Sequence, residues 1–252
     1  MTDDLLHGLG CVPSPFDPKD QQYHFATLGV EVAPTLPVQT LLPPWHPLNQ
    51  NGHGTCTGES VLLATVVAYH KKTGVWLYAN EAEAQSAAET LYVEATGDHT
   101  MLRGSDLRTI LKWAQATGIR LPNGSRVKIA SYHTLLPAAD QPTVAAVTAS
   151  IEAAIAAGMV VITGWYWPQI WMTDPGQFAT YPSPVAHAPL AGCHAIAEWR
   201  AAMGHPSPGA TTLLRMHAFE QSWNGFGNKG TVYFDSGLES RGWMFDAWVA
   251  QC

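Results

Sequence analysis

The chain has 252 residues, 46% of them apolar, and carries 13 Lys+Arg against 20 Asp+Glu, a formal net charge of -7 with an isoelectric point near 5.8. A chain of that length buries a self-supporting core without staples, and 18 Pro with 22 Gly exclude a collagenous or low-complexity chain. Its few scattered basic residues make no stripe that would follow a phosphate backbone, which argues against a nucleic-acid partner.

The start, Met1-Thr2-Asp3-Asp4-Leu5-Leu6, is acidic where an export signal is basic, and no apolar region follows it. No signal peptide is read, and the expected location is cytoplasmic or virion-associated. Residues 1–35 read as a proline-rich extension. From Cys11 to Pro47 prolines recur, so the segment is expected to run as an extended strap over the surface. Residues 57–70, with Val61, Leu62, Leu63, Ala64, Val66 and Val67, predict a helix buried on most of its circumference, closed by Gly74. A second helix is predicted over 81–96. A third opens at the capping candidate Ser105, carries Leu107, Ile110, Leu111 and Ala114 at helical spacing, and ends at Gly118.

After Pro142 a further helix puts Val144, Val147, Ile151 and Ile155 on one stripe and stops at Gly158. Short β-branched or aromatic runs follow at 159–167, 193–199, 213–221 and 231–235. The longest uncharged apolar stretch, 153–167, is shorter than the roughly 18 to 20 residues of a membrane span and divides into a helix end and a buried strand. The chain is therefore read as α+β. A helical half, about 50–135, packs against a strand-rich half, about 136–252, in one unit without internal repeats.

Chemistry concentrates in three places. Asn49-Gln50-Asn51-Gly52-His53-Gly54-Thr55-Cys56 ends a glycine-rich turn at the start of the buried helix, where the first N–H groups and the helix dipole favour a thiolate. Gly52, Gly54 and Gly58 leave room for a substrate backbone. Cys56 is thus either a nucleophile or a small buried hydrophobe. Gly192-Cys193-His194 puts a histidine on a strand, a candidate base. Gln221-Ser222-Trp223-Asn224-Gly225 ends a later strand with an amide beside a tryptophan. Cys193 is read as core, facing away from His194, and His53 as part of the turn. Cys11, Cys56, Cys193 and Cys252 form no CxxC pair. His187, Cys193, His194 and His205 match no common zinc spacing, so no metal or cofactor is expected.

In this order, Gln50, Cys56, His194 and the amide-Ser-Trp segment resemble the papain-like (C1-type) cysteine peptidases. Leu36-Pro37, Pro47-Leu48-Asn49-Gln50, Arg103-Gly104-Ser105-Asp106-Leu107, the passage 151–164 and Phe245-Asp246-Ala247-Trp248 are similar to further family segments. The separation of Cys56 from His194 falls inside the roughly 130 to 150 residues of papain-type enzymes. The resemblance covers most of 36–252, read as the peptidase domain, and implies two subdomains, one helical and one β-barrel-like, with a cleft between them. It also implies that Cys56 is the nucleophile, His194 its base, Gln50 the oxyanion donor and Gln221 the orienter of His194, supported by Trp223, Ser222 and Gly54.

Three departures stand out. His53 and Thr57 replace the family's cysteine and tryptophan on either side of the nucleophile, and Gln221 replaces its orienting asparagine; Asn224 is expected to point elsewhere. The family's helical prosegment is not evident, so zymogen control is not expected, although the extension could itself lie in the cleft as an inhibitor.

A peptide or protein substrate is implied. High alanine and low lysine suggest a bacterial or phage source, with peptidoglycan stem peptides or a virion protein as candidate substrates. Two other functions stay open: a weakly active or inactive papain-like structural or binding subunit, and an acyl transferase or deamidase using the same Cys-His pair.

Overall fold

A nearly uninterrupted apolar sequence makes α1, Cys56–Thr73, a core helix: every residue from Cys56 to Val67 is buried. It ends where Gly74 takes the left-handed conformation and its N–H caps His70 O. In the computed structural model of the chain, residues 9–15, 17, 19, 35–136, 144–173, 181, 183–184, 187–205, 210–223, 226–239 and 242–252 are described, the side chains of Val144 and Ala145 excepted.

α2, Glu81–Thr96, starts at Asn80, whose side chain accepts from Glu83 N. α3, Leu107–Ala116, is capped by Asp106, which accepts from Thr109 N. The expected cap, Ser105, is displaced by one residue. A carboxylate is as good a cap as a hydroxyl, and Ser105 instead pairs as an isolated bridge with Cys11. α1 packs on α2 and α3. Gly58 lies at the α1–α2 crossing, where a Cβ would sit 2.7 Å from Ala88 O. Its smallness therefore serves helix packing and does not make room for a substrate.

The strands are β1 (Val38–Gln39), β2 (Ile119–Arg120), β3 (Arg126–Val127), β4 (Ser131–Thr134), β5 (Val161–Pro168), β6 (Leu190–Gly204), β7 (Leu214–Glu220), β8 (Thr231–Asp235) and β9 (Met244–Gln251). β2 and β3 form a separate ribbon. The rest make one antiparallel sheet in the order β4-β9-β5-β6-β7-β8, with β1 added to β6. α4, Val144–Ala156, leads into β5 through Gly158.

Alternation along the central strands builds two cores. On β6, Ala195 and Ala197 join α1–α3, whereas Ile196 joins a cluster with α4, Trp165, Trp167, Trp171, Phe219 and Phe234. Those three tryptophans are fully buried and form core. Among the described residues no helix is long and apolar enough to cross a membrane.

Candidate active site

Cys56 opens α1 directly after the turn Gly52–Thr55, and it is wholly buried. Burial pushes its thiol up to about 12, and the nearby Glu59 carboxyl acts in the same direction. Main-chain hydrogen bonds from Ala195, Gly10 and Thr57 oppose this by favouring the thiolate. Glu59 is itself pushed up to about 7 by burial; it accepts from Thr55 Oγ1 at 2.8 Å and from Gln85 Nε2 at 3.0 Å.

The bond from Ala195 brings β6 onto the N-terminus of α1, and His194 is the preceding residue. Its ring is wholly buried, stacked on Trp223 at 4.7 Å between centroids and met edge-on by Trp167 at 4.9 Å. His194 Nε2 lies 2.5 Å from Gln221 Oε1. An amide oxygen only accepts, so the bond puts the ring proton on Nε2 and makes Nδ1 the basic nitrogen. Gln221 is fixed in turn by its N–H to Gly230 O at 2.7 Å and its Nε2 to Tyr181 Oη at 3.5 Å.

Gln50, also fully buried, is tied to the same segment. Its N–H donates to Ser222 O at 2.9 Å, its Oε1 accepts from Ser222 Oγ at 2.6 Å, and its Nε2 donates to His53 O at 2.5 Å. Ser222 thus couples Gln50 to the residue beside Gln221. The backbone of His53 closes the turn, its N–H on Gln50 O at 2.8 Å.

Neither a protein-family model nor a curated protein matches the sequence. Solved structures do. Xylellain, a cysteine protease from Xylella fastidiosa, is 16% identical with a TM-score of 0.68, over 97% of this chain and 96% of that one. Digestive procathepsin L 3 of Tenebrio molitor larval midgut is 12% identical with a TM-score of 0.67, over 99% of this chain and 78% of that one. The Carica candamarcensis cysteine protease CMS1MS2 is 16% identical with a TM-score of 0.56, over 90% and 96%. The fold is that of the papain-like cysteine proteases.

On this papain-like fold the extension does something the sequence left open. Gly10 and Cys11 are buried between the helices and the sheet, and the strap emerges at the surface from Val12 onward, as expected. Gly10 O accepts from Ser105 N at 2.6 Å, Val12 N donates to Ser105 O at 3.1 Å, and Cys11 N donates to Cys193 O at 3.3 Å. Unpaired main-chain groups of an extended segment are satisfied by such edges, and here the pairing with Ser105 is parallel. The approach is close enough that a Cβ on Gly10 would lie 2.5 Å from Gly54 Cα. Gly54 and Gly104 therefore admit the chain's own backbone to the position above Cys56. Ser14 N on Asp246 Oδ2 at 2.9 Å and Asp17 on Arg108 at 3.2 Å anchor the continuation.

Cys193 packs against the helical core, on the side opposite His194, as the strand alternation predicts. His205 bonds Thr212 O on the surface, and His187, Cys193, His194 and His205 do not converge. Asn224 lies outside the described residues. Tyr181 and Trp167 were not singled out from the sequence. The only signal for either was aromatic density near β5, which does not say which ring meets which.

Proposed function

We propose that this chain is a cysteine peptidase in which Cys56 is the nucleophile and His194 its base. The observation that carries the proposal is the buried His194–Gln221 hydrogen bond at 2.5 Å, set beside a cysteine at a helix N-terminus. With Nε2–H given to Gln221, Nδ1 takes the Cys56 proton and leaves a thiolate–imidazolium pair. The thiolate forms a C–S bond to a peptide carbonyl carbon, and the carbonyl electron pair moves to oxygen. The Cys56 N–H and the Gln50 amide hold that oxyanion; loss of one such donor typically costs about 100 to 1,000-fold in rate. His194 protonates the departing amine. It then takes a proton from the water that cleaves the thioester and frees Cys56.

In this reading residues 9–12 hold the enzyme latent, since they exclude water from Cys56 and occupy the space a substrate backbone needs. The test is hydrolysis of a fluorogenic peptide set by the Gly10→Val chain, with Cys56→Ala as control. Hydrolysis that Cys56→Ala abolishes is the expected result. No hydrolysis by Gly10→Val, with Cys56 no more reactive than a free thiol, would sink the assignment.

A second reading, a catalytically silent binding subunit, is favoured by one observation: the Cys56 thiol is raised to about 12 and so stays protonated at neutral pH in the covered state. Thiol reactivity after the strap is displaced separates the two. Acyl transfer or deamidation would use the same acyl-enzyme resolved differently, and product analysis distinguishes these outcomes. Peptidoglycan stem peptides and virion proteins are the substrates to try first.

A further inference from the structure

The face of β6 and β7 that carries His194 and leads to Gln221 holds a second buried polar group: Glu198, four residues after His194 on β6, and His217, four residues before Gln221 on β7. Both are wholly inaccessible, as are, to within 3%, Glu239 from the turn after β8 and Glu152 from α4. His217 Nδ1 is approached by two carboxylate oxygens at once, Glu198 Oε2 at 3.2 Å and Glu239 Oε1 at 2.5 Å. Its Nε2 faces Glu152 Oε1 at 3.3 Å.

A ring nitrogen has at most one hydrogen, so it cannot serve two carboxylates fully. The consequence is visible at the oxygens. Glu198 Oε2 and Glu239 Oε1 crowd the same ring nitrogen in a dry interior, an expensive arrangement for two carboxylates. The remaining contacts are Thr163 on the Glu198 side chain, Thr148 Oγ1 donating to Glu239 Oε2 at 3.1 Å, and the half-exposed Arg215 paired with Glu152 at 2.9 Å. Three carboxylates therefore meet one arginine and one imidazole, and this interior is neutral only with added protons or a bound cation.

We propose that Glu198, His217 and Glu239 bind one divalent first-row transition metal, zinc in the first instance. Their ligand atoms already lie within 4.8 Å of one another. Tetrahedral zinc with bonds of about 2.0 to 2.1 Å needs ligand atoms roughly 3.4 Å apart, so small side-chain shifts suffice. One imidazole nitrogen with carboxylate oxygens suits zinc, manganese or iron, whereas calcium requires six to eight oxygens. Glu152 orients His217 from its other nitrogen, as metal-bound histidines require. The metal is structural: it joins α4, β6, β7 and the turn after β8. It stiffens the two strands that position His194 and Gln221. The inference is independent of any peptidase activity.

The test uses the full-length Cys56→Ala chain, which removes the cleft thiol as a competing ligand. Zinc content is measured by plasma mass spectrometry after dialysis, zinc affinity by calorimetry, and melting with and without EDTA. The expected result is one tightly held zinc per chain and a melting temperature that falls on chelation and returns with zinc. The cobalt(II) form should show visible d–d bands without a thiolate charge-transfer band. Glu239→Gln and Glu198→Asp should each weaken zinc at least tenfold, folding being checked by circular dichroism. A chain that takes up neither zinc nor manganese and melts identically with EDTA would overturn the proposal. So would a thiolate band in the cobalt form, or zinc affinity unchanged in both variants.

Discussion

His194 Nε2 and Gln221 Oε1 lie 2.5 Å apart in a site closed to water, with Trp223 stacked on the imidazole. The glutamine thus makes the contact that a shorter amide makes in the family the sequence resembles. Its extra methylene is absorbed because Gln221 immediately follows the end of β7, where its N–H is fixed on Gly230 O.

Restoring the family residue is therefore expected to harm this chain. Gln221→Asn withdraws the acceptor by about 1.5 Å, one C–C bond, and Gln221→Ala removes it. A buried hydrogen bond is worth about 1 to 3 kcal/mol, so kcat should fall roughly 10 to 100-fold, with KM little changed. Steady-state kinetics in the Gly10→Val background measure this.

Ser222→Ala leaves Gln50 Oε1 without the hydroxyl that lies 2.6 Å away. Stability should fall by about 1 to 3 kcal/mol, read by urea denaturation, and kcat should fall with it as the Gln50 side chain keeps only its bond to His53 O.

Glu59 gives the chain a distinct pH response. Its carboxyl is raised from 4.5 to about 7, chiefly by burial. Between those values the folded chain holds a proton the unfolded chain has lost. Stability contributed by this group is therefore fully present at low pH and is lost as pH rises through the window, by up to about 1.4 kcal/mol per pH unit. Glu59→Gln keeps an acceptor for Thr55 and Gln85 but cannot ionise. It should flatten the melting temperature between about pH 5 and 7 and also lower the Cys56 thiol by removing a neighbouring negative charge.

Local signals in the sequence located the four α-helices and the strands β5 to β8, because caps and periodicity are contiguous, while Gln50, Cys56, His194 and Gln221 were read from the family resemblance, and the structure ties His194 to Gln221 and Gln50 to Ser222. Partners distant along the chain escaped the sequence. Tyr181 on Gln221, Gly10 on Ser105 and Gly58 on Ala88 are tertiary pairings for which spacing carries no information. β9 escaped as a strand since Met244–Gln251 does not alternate: it is buried along most of its length. The Glu198, His217 and Glu239 group escaped for the same reason as Tyr181, its members lying on three separated segments.

Alkylation of Cys56 by iodoacetamide as a function of pH, followed by mass spectrometry in the full chain and in Gly10→Val, tests the central claim most directly. The account predicts a full chain whose Cys56 stays unlabelled at neutral pH, and a Gly10→Val chain labelled rapidly well below the ordinary thiol value, with His194→Ala abolishing the gain. Cys56 labelling in Gly10→Val that rises only toward the ordinary thiol value of about 8.5, with or without His194, would contradict it.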